Sequence, residues 1–273
     1  MKYFAIILLL IAQSCQKPVK TENASSYIFT WVKDENDWNS DYIAVINSNP
    51  NDRGYGSLVS TLPVGYSDIN AHHSEHRFHE IKELFVNGFS GGRSFIVDLN
   101  EPEDPKLKKT FTNIREYTFP HSFERLPSGN VLATFQTVGQ GNNEVGGLVE
   151  ISPDGDFVRS SNASDPQVAK FIRPYSLAIL PEIDRVISTS ADMKQKDLSN
   201  VVQVWRLSDL SLIKTMTLKP GPRGNEHFDP AEPRILKDGK TVLISTFFCG
   251  LYKVKDIESE SPSIEWVYSF DFN

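Results

Sequence analysis

Short runs of β-branched and aromatic residues recur along the chain, and each is followed by a turn sequence. Runs bounded by Asn, Asp, Pro and Gly are typical of β-strands, because those residues cap tight turns or adopt the backbone angles that turns need. Five of them mark a repeat: Tyr42–Ile46, Phe95–Leu99, Leu148–Ile151, Val202–Leu207 and Leu251–Val254. The steps between their last residues are 53, 52, 56 and 47 positions. The spacing therefore indicates a structural repeat.

A second set of strands is expected between these markers. Its members are Glu83–Val86, Asn130–Thr134, Arg185–Thr189 and Thr241–Ser245. Each unit then holds about four strands, and the only helical feature expected is one turn in residues 163–170. Repeated units of this kind predict an all-β fold, a β-propeller of four-stranded blades. The alternative is a pair of β-sandwiches, which would not require so constant a step.

The repeat also predicts how the chain is divided. We expect residues 27–273 to form one β-propeller domain of about five blades. Tyr27–Val32 is a candidate for the strand that closes the ring by pairing with the last blade. Because the sequence stops partway through the fifth unit, we expect the propeller to be incomplete at its C-terminus, with one or more blades missing.

The N-terminus has the pattern of an export signal. Lys2 precedes an apolar run, Tyr3–Ala12, which is too short to span a bilayer and has the length of a signal-peptide core. Small residues before Cys15 resemble a loose lipobox. We therefore expect a lipoprotein signal peptide at 1–14, lipidation of Cys15 and a polar tether at 15–26. The alternative is an ordinary cleaved signal with an incidental cysteine.

These features predict an extracytoplasmic protein, either periplasmic or a cell-surface lipoprotein, that contacts the membrane only through its lipid anchor. The chain has 35 acidic and 28 basic residues, a formal net charge of −7. No basic run is present, which argues against nucleic acid as a partner, because binding a phosphate backbone needs concentrated positive charge. Protein partners cannot be inferred.

Histidines are the most distinctive candidates for chemistry. Four of the six lie within positions 72–79, namely His72, His73, His76 and His79, and neutral imidazole is a common metal ligand. Counting back ten residues from the second strand of each unit, with one residue of slip in two units, gives His73, His121, Tyr175 and Glu232. Equivalent positions on the inner strands of a propeller lie near its axis, so we expect these four to converge.

Two imidazoles, a carboxylate and a phenol around one channel mouth suit copper, iron or zinc. The alternative is a hydrogen-bonded polar plug that fills the channel without metal.

At these residues the chain resembles the selenium-binding protein / methanethiol oxidase family. The matching segments are His72-His73-Ser74, Pro120-His121-Ser122-Phe123, Leu126–Gly129, Gly147–Glu150, Tyr175-Ser176-Leu177, Val202–Leu207 and Glu232-Pro233-Arg234. The similarity runs from about Tyr27 to Phe270.

The resemblance implies a propeller that oxidises a small thiol such as methanethiol to aldehyde, sulfide and hydrogen peroxide with copper. By analogy, His73 and His121 are the leading metal ligands, with His72 and Glu232 next. Tyr175 and His76 are expected around the ligands. The cysteine linked to selenium in animal relatives has no counterpart here, which argues against selenium binding. The other function class that remains is a non-enzymatic propeller lipoprotein that binds a ligand or a protein.

Overall fold

The computed structural model describes residues 26–271, apart from positions 37, 68, 77–79, 81, 89, 142, 169–170 and 195–196. The expected signal peptide, Cys15 and His79 lie outside the described residues. Within the described part, no helix is long and apolar enough to cross a membrane.

The described chain is folded into five antiparallel sheets taken in sequence order, which confirms the predicted all-β fold. The first sheet holds β1 (Tyr27–Val32), β2 (Ser40–Asn47) and β3 (Leu58–Ser67), and the second holds β4 (Ala71–Ser74), β5 (Glu83–Gly88), β6 (Ser94–Asp98) and β7 (Lys106–Phe111). The third holds β8 (Asn113–Ile114), β9 (Tyr117–Arg125), β10 (Val131–Val138), β11 (Gly147–Ile151) and β12 (Phe157–Asn162). The fourth holds β13 (Pro174–Leu180), β14 (Arg185–Ser190), β15 (Val201–Arg206) and β16 (Leu212–Thr217). The fifth holds β17 (Pro230–Ile235), β18 (Val242–Thr246), β19 (Gly250–Lys255) and β20 (Ser263–Ser269).

The five sheets are arranged as consecutive propeller blades. Each strand in the series β1, β4, β9, β13 and β17 contacts the next. These are the first strands of their sheets, except in the third sheet, where the two-residue β8 precedes β9. These inner strands therefore line the axis, and the later strands of each sheet lie progressively further out. Every strand expected from the sequence is present, and two short 3-10 segments occur at Ser90–Gly92 and Pro181–Ile183.

Each gap between consecutive sheets is filled by its own hydrophobic layer. Ile43 and Val64 of the first sheet pack on Leu84 and Val86 of the second. The intervening Phe85 points to the opposite gap, where it packs with the third sheet. Side chains alternate across a strand, so a strand buried on both faces is apolar at every position. Similar layers join the third to the fourth sheet and the fourth to the fifth, which excludes a pair of sandwiches.

The first strand is part of the first sheet. Tyr27–Val32 pairs with β2, in register from Tyr27 opposite Asn47 to Val32 opposite Tyr42. In the described part of the chain it does not pair with the fifth sheet, and its role in closing the ring stays a prediction. Trp31 of this strand contacts the second sheet, where its Nε1 donates a hydrogen bond to the backbone oxygen of Asn87 (2.7 Å). The helical turn expected in 163–170 is a hydrogen-bonded turn from Asp165 to Val168.

Candidate metal centre

Five of the predicted site residues lie at one kind of irregularity in the inner strands: His72, His73, His121, Tyr175 and Glu232. In each of β4, β9, β13 and β17, strand pairing is interrupted so that two residues face one residue of the neighbouring strand. The four pairs are His72-His73, His121-Ser122, Tyr175-Ser176 and Ala231-Glu232. Such bulges bend a strand and redirect side chains, and they are common near functional sites.

The bulges correct the alignment made from the sequence. His121 and Tyr175 are the first residues of their pairs, whereas His73 and Glu232 are the second. The residue equivalent to His121 in the second sheet is therefore His72, one position earlier than predicted. Counting from strand to strand could not resolve this difference, because the extra residue of a bulge changes the count.

His72, His73 and His121 form a compact cluster, which we call the histidine triad. One ligand atom from each lies within 4.8 Å of the other two. The closest approach is between Nε2 of His72 and Nε2 of His121, at 3.1 Å. The ring centres of His73 and His121 are 4.3 Å apart. His121 is fully buried, His73 is partly buried and His72 is exposed, so the triad opens to solvent on the His72 side.

A backbone carbonyl fixes the protonation of the buried histidine. Nδ1 of His121 lies 2.6 Å from the carbonyl oxygen of Tyr175. Because a carbonyl can only accept, the proton of the neutral ring is on Nδ1 and Nε2 carries a lone pair. That lone pair faces Nε2 of His72. Metal-binding histidines commonly have this arrangement, with the second ring nitrogen held by a carbonyl or carboxylate.

The triad is held neutral by its surroundings. Burial lowers the pKa of His73 to about 3, with added repulsion from His72, His76 and Arg234. Burial also lowers the pKa of His121 well below its usual range, and partial desolvation of the ring lowers the pKa of His72. Neutral imidazoles keep a lone pair for a metal at neutral pH.

A metal ion fits this donor set. Two imidazole nitrogens bound to one tetrahedral ion at about 2.0 Å stand roughly 3.3 Å apart, close to the 3.1 Å between His72 and His121. Imidazole donors suit copper, zinc and iron. The residues that could hold such an ion are His72, His73 and His121.

Of the other two predicted ring members, Tyr175 lies against the triad and Glu232 lies near Tyr175. The ring of Tyr175 packs against His121 with 3.9 Å between ring centres. Burial and the nearby carboxylate of Glu232 raise the pKa of the phenol, which is therefore protonated at neutral pH. Oε2 of Glu232 accepts hydrogen bonds from Ser176 Oγ (2.9 Å) and Arg234 Nη1 (3.0 Å). Among the described residues, the triad is the only group of three potential metal ligands whose ligand atoms lie within 4.8 Å of one another, and Glu232 is not part of it.

The two ends of the inner strands differ in polarity on either side of the triad. Toward the strand beginnings, Tyr175 packs with Ala191, Ala231 and Met193, and Phe247 stands edge-on to it at 5.6 Å between ring centres. We call this group the apolar side.

Toward the strand ends lies a cavity of about 330 Å³ whose lining includes His76, Glu124 and Arg234. Burial and Arg234 lower the pKa of His76, and Glu232 raises it. His76 thus lies at the charged end.

Sequence reasoning missed the residues that face the bulges. Asn87, Thr134 and Thr189 each lie opposite one bulge and are buried. Their side chains accept the N–H groups of His73, Ser122 and Ser176, respectively. The signal in the sequence is a polar residue that ends an apolar strand run, as Asn87 follows Leu84-Phe85-Val86.

The fold and this centre define a β-propeller with a histidine cluster on its inner strands. A methanethiol oxidase from Hyphomicrobium sp. is 29% identical to the chain over 168 residues, which cover 57% of this chain and 37% of that protein. A hypothetical selenium-binding protein from Sulfolobus tokodaii superposes with a TM-score of 0.64 at 17% identity, over 84% of this chain and 57% of that one. The chain thus spans little more than a third of the length of the methanethiol oxidase and a little more than half of the length of the selenium-binding protein.

The chain resembles the selenium-binding protein / methanethiol oxidase family, as the sequence motifs indicated. The propeller itself is shared more widely. A periplasmic gluconolactonase from Pseudomonas aeruginosa has a TM-score of 0.62 at 12% identity, over 89% of this chain and 67% of that one. No family model matches the chain.

Proposed function

We propose that the protein is a metal-dependent oxidase of a small thiol such as methanethiol, with copper held by His72, His73 and His121. The observation that carries the proposal is the buried lone pair of His121, fixed by the Tyr175 carbonyl and aimed at His72. The similarity to a methanethiol oxidase supports the reaction class. Methanethiol, dioxygen and water would give formaldehyde, hydrogen sulfide and hydrogen peroxide, and bound copper would supply the electron transfer.

The residues around the triad have distinct parts in this proposal. The apolar side, with Phe247 55% exposed at its rim, receives the alkyl group of the thiol and excludes water from it. Tyr175 stays protonated and donates a hydrogen bond toward the reacting sulfur or oxygen. Both hydrogen bonds to Glu232 go to Oε2, so Oε1 is the atom assigned to accept the proton of the thiol.

The test compares His73→Ala and His121→Ala with His227→Ala in the full chain. His227 is a matched control, because it is also a buried histidine but is not a member of the triad. Copper content after incubation with Cu⁺ and methanethiol-dependent oxygen consumption are measured. We expect both to be lost in the triad variants and kept in His227→Ala. Equal loss in all three would indicate general destabilisation and contradict the proposal.

A second candidate function is a non-enzymatic propeller that binds a ligand or a protein. It is favoured by the contact between His72 and His121, which can also be a direct hydrogen bond in a metal-free channel plug. If wild-type protein binds no copper and the triad variants lose only stability, this second function is the better explanation.

For location, we propose that the chain is exported and anchored through a lipid on Cys15. The apolar run from Tyr3 to Ala12 and the small residues before Cys15 support this proposal.

A further inference from the structure

The bulges are closed by side chains that also join neighbouring sheets. Oγ1 of Thr134 accepts the N–H of Ser122 (3.0 Å) in its own sheet and donates to the carbonyl of Tyr175 (2.8 Å) in the next. Oγ1 of Thr189 repeats this pattern, accepting from Ser176 (3.1 Å) and donating to Ala231 (2.6 Å). One hydroxyl thus accepts the unpaired N–H of the bulge and also forms a hydrogen bond to the next inner strand.

Asn87 occupies the same position in the second sheet but uses two atoms. Its Oδ1 accepts the N–H of His73 (2.7 Å), and its Nδ2 donates to the carbonyl of Pro120 (2.9 Å). The carbonyl it reaches belongs to the residue before the bulge, whereas the two threonines reach the first residue of the bulge. The side chain is fully buried, so both bonds are shielded from water.

The amide can therefore join groups that lie further apart than those joined by a single hydroxyl. A hydroxyl must have donor and acceptor within reach of one oxygen, whereas the two ends of an amide are separated. This gap is the one that contains the triad, with two histidines on β4 and one on β9. The neighbouring gaps, which are closed by threonine, hold no comparable cluster among the described residues.

We propose that Asn87 is the positioning residue of the metal centre, setting the separation of the two strands that carry its ligands. The inference rests on the proposed function. Asn87 holds β4 through the N–H of His73, and it holds the residue next to His121 through the carbonyl of Pro120. Buried groups that orient metal ligands typically change metal affinity by about 10- to 100-fold when they are altered.

The experiment uses Asn87→Thr, which installs the side chain that the third and fourth sheets tolerate at this position. Its matched control is Thr246→Val, which removes a buried hydroxyl that likewise accepts an N–H (Gly250) and donates to a carbonyl (Glu226), but in the fifth sheet and away from the triad. Co²⁺ is titrated into each full-length variant, the absorption bands of the bound ion are recorded, and thermal unfolding is measured in parallel.

We expect Asn87→Thr to remain folded, to bind Co²⁺ about 10- to 100-fold more weakly than wild type and to show altered absorption bands. Thr246→Val should lose thermal stability and keep wild-type affinity. Asn87→Asp, which can accept from His73 but cannot donate to Pro120, should fall between wild type and Asn87→Thr. Unchanged affinity in Asn87→Thr would overturn the inference while leaving the proposed function intact. Absence of Co²⁺ binding by wild type would instead count against the metal centre itself.

Discussion

Glu75 and Arg125 form a buried ion pair just beyond the triad, and replacing Arg125 by methionine tests what it contributes. The two side chains are 2% and 4% exposed. Nε of Arg125 lies 2.8 Å from Oε1 of Glu75, and Nη2 lies 2.6 Å from Oε2. Oε2 also accepts the N–H of Phe85. The pair therefore joins the end of β4 to the end of β9 with little contribution from water.

The expected cost follows from what the substitution leaves behind. Removing one partner of a buried pair typically costs about 3–5 kcal/mol, because the other charge stays buried without compensation. Burial raises the pKa of Glu75 even with Arg125 in place. Replacing both residues, as Glu75→Leu with Arg125→Met, removes both charges and should recover most of the loss. About 1–2 kcal/mol should remain, because the Phe85 N–H loses its acceptor.

Urea unfolding of the single and double variants measures these free energies. An exposed pair provides the control: Lys255→Met, which removes the partner of Glu265 at 3.3 Å, should cost less than about 1 kcal/mol. The pH dependence adds a second check. A carboxyl whose pKa is raised in the folded state stabilises the fold at low pH and loses that contribution as pH rises. The deficit of Arg125→Met should therefore be smaller at pH 5 than at pH 7. A deficit that matches the Lys255 control, or that does not change with pH, would refute the reasoning.

Two further predictions concern acid stability and location. The folded state lowers the pKa of His73 to about 3 and that of His121 well below 6.5. Below pH 6.5 the unfolded chain therefore binds more protons than the folded chain, and the melting temperature of metal-free protein should fall as the pH drops below this value. The variant His121→Asn should flatten this pH dependence. Cys15→Ser should move the protein from the membrane to the soluble fraction, whereas Cys249→Ser should not, and unchanged membrane association of Cys15→Ser would contradict the lipid anchor.

The strands could be predicted from the sequence because burial on both faces leaves a simple pattern. Phe95-Ile96-Val97 and Val131-Leu132-Ala133 are examples of unbroken apolar runs, and the constant step between such runs identified the propeller. The same repeat indicated that His73, His121 and Tyr175 lie on successive inner strands. Local sequence was sufficient for this because inner strands occupy the same place in every blade.

Pairing and hydrogen bonding could not be predicted in the same way. The hydrogen bond from Trp31 to Asn87 joins the first sheet to the second, and no local sequence pattern indicates it. The partners of Glu232 depend on a bulge that shifts it to the level of Ser176. One extra residue in a strand leaves no distinctive composition, so the alignment of His72 with His121 emerges only from the observed pairing.

The acceptor that fixes His121 is a main-chain carbonyl, and this has a consequence for how the centre can change over evolution. Every amino acid at position 175 supplies that carbonyl, so in the proposed oxidase a substitution of Tyr175 would alter the environment of the reacting atoms without removing the hydrogen bond that orients His121. Under the proposed function, substitutions at this position would change reactivity while metal affinity is kept. If the acceptor were a carboxylate side chain, a single substitution would change both the orientation of His121 and the surroundings of the site.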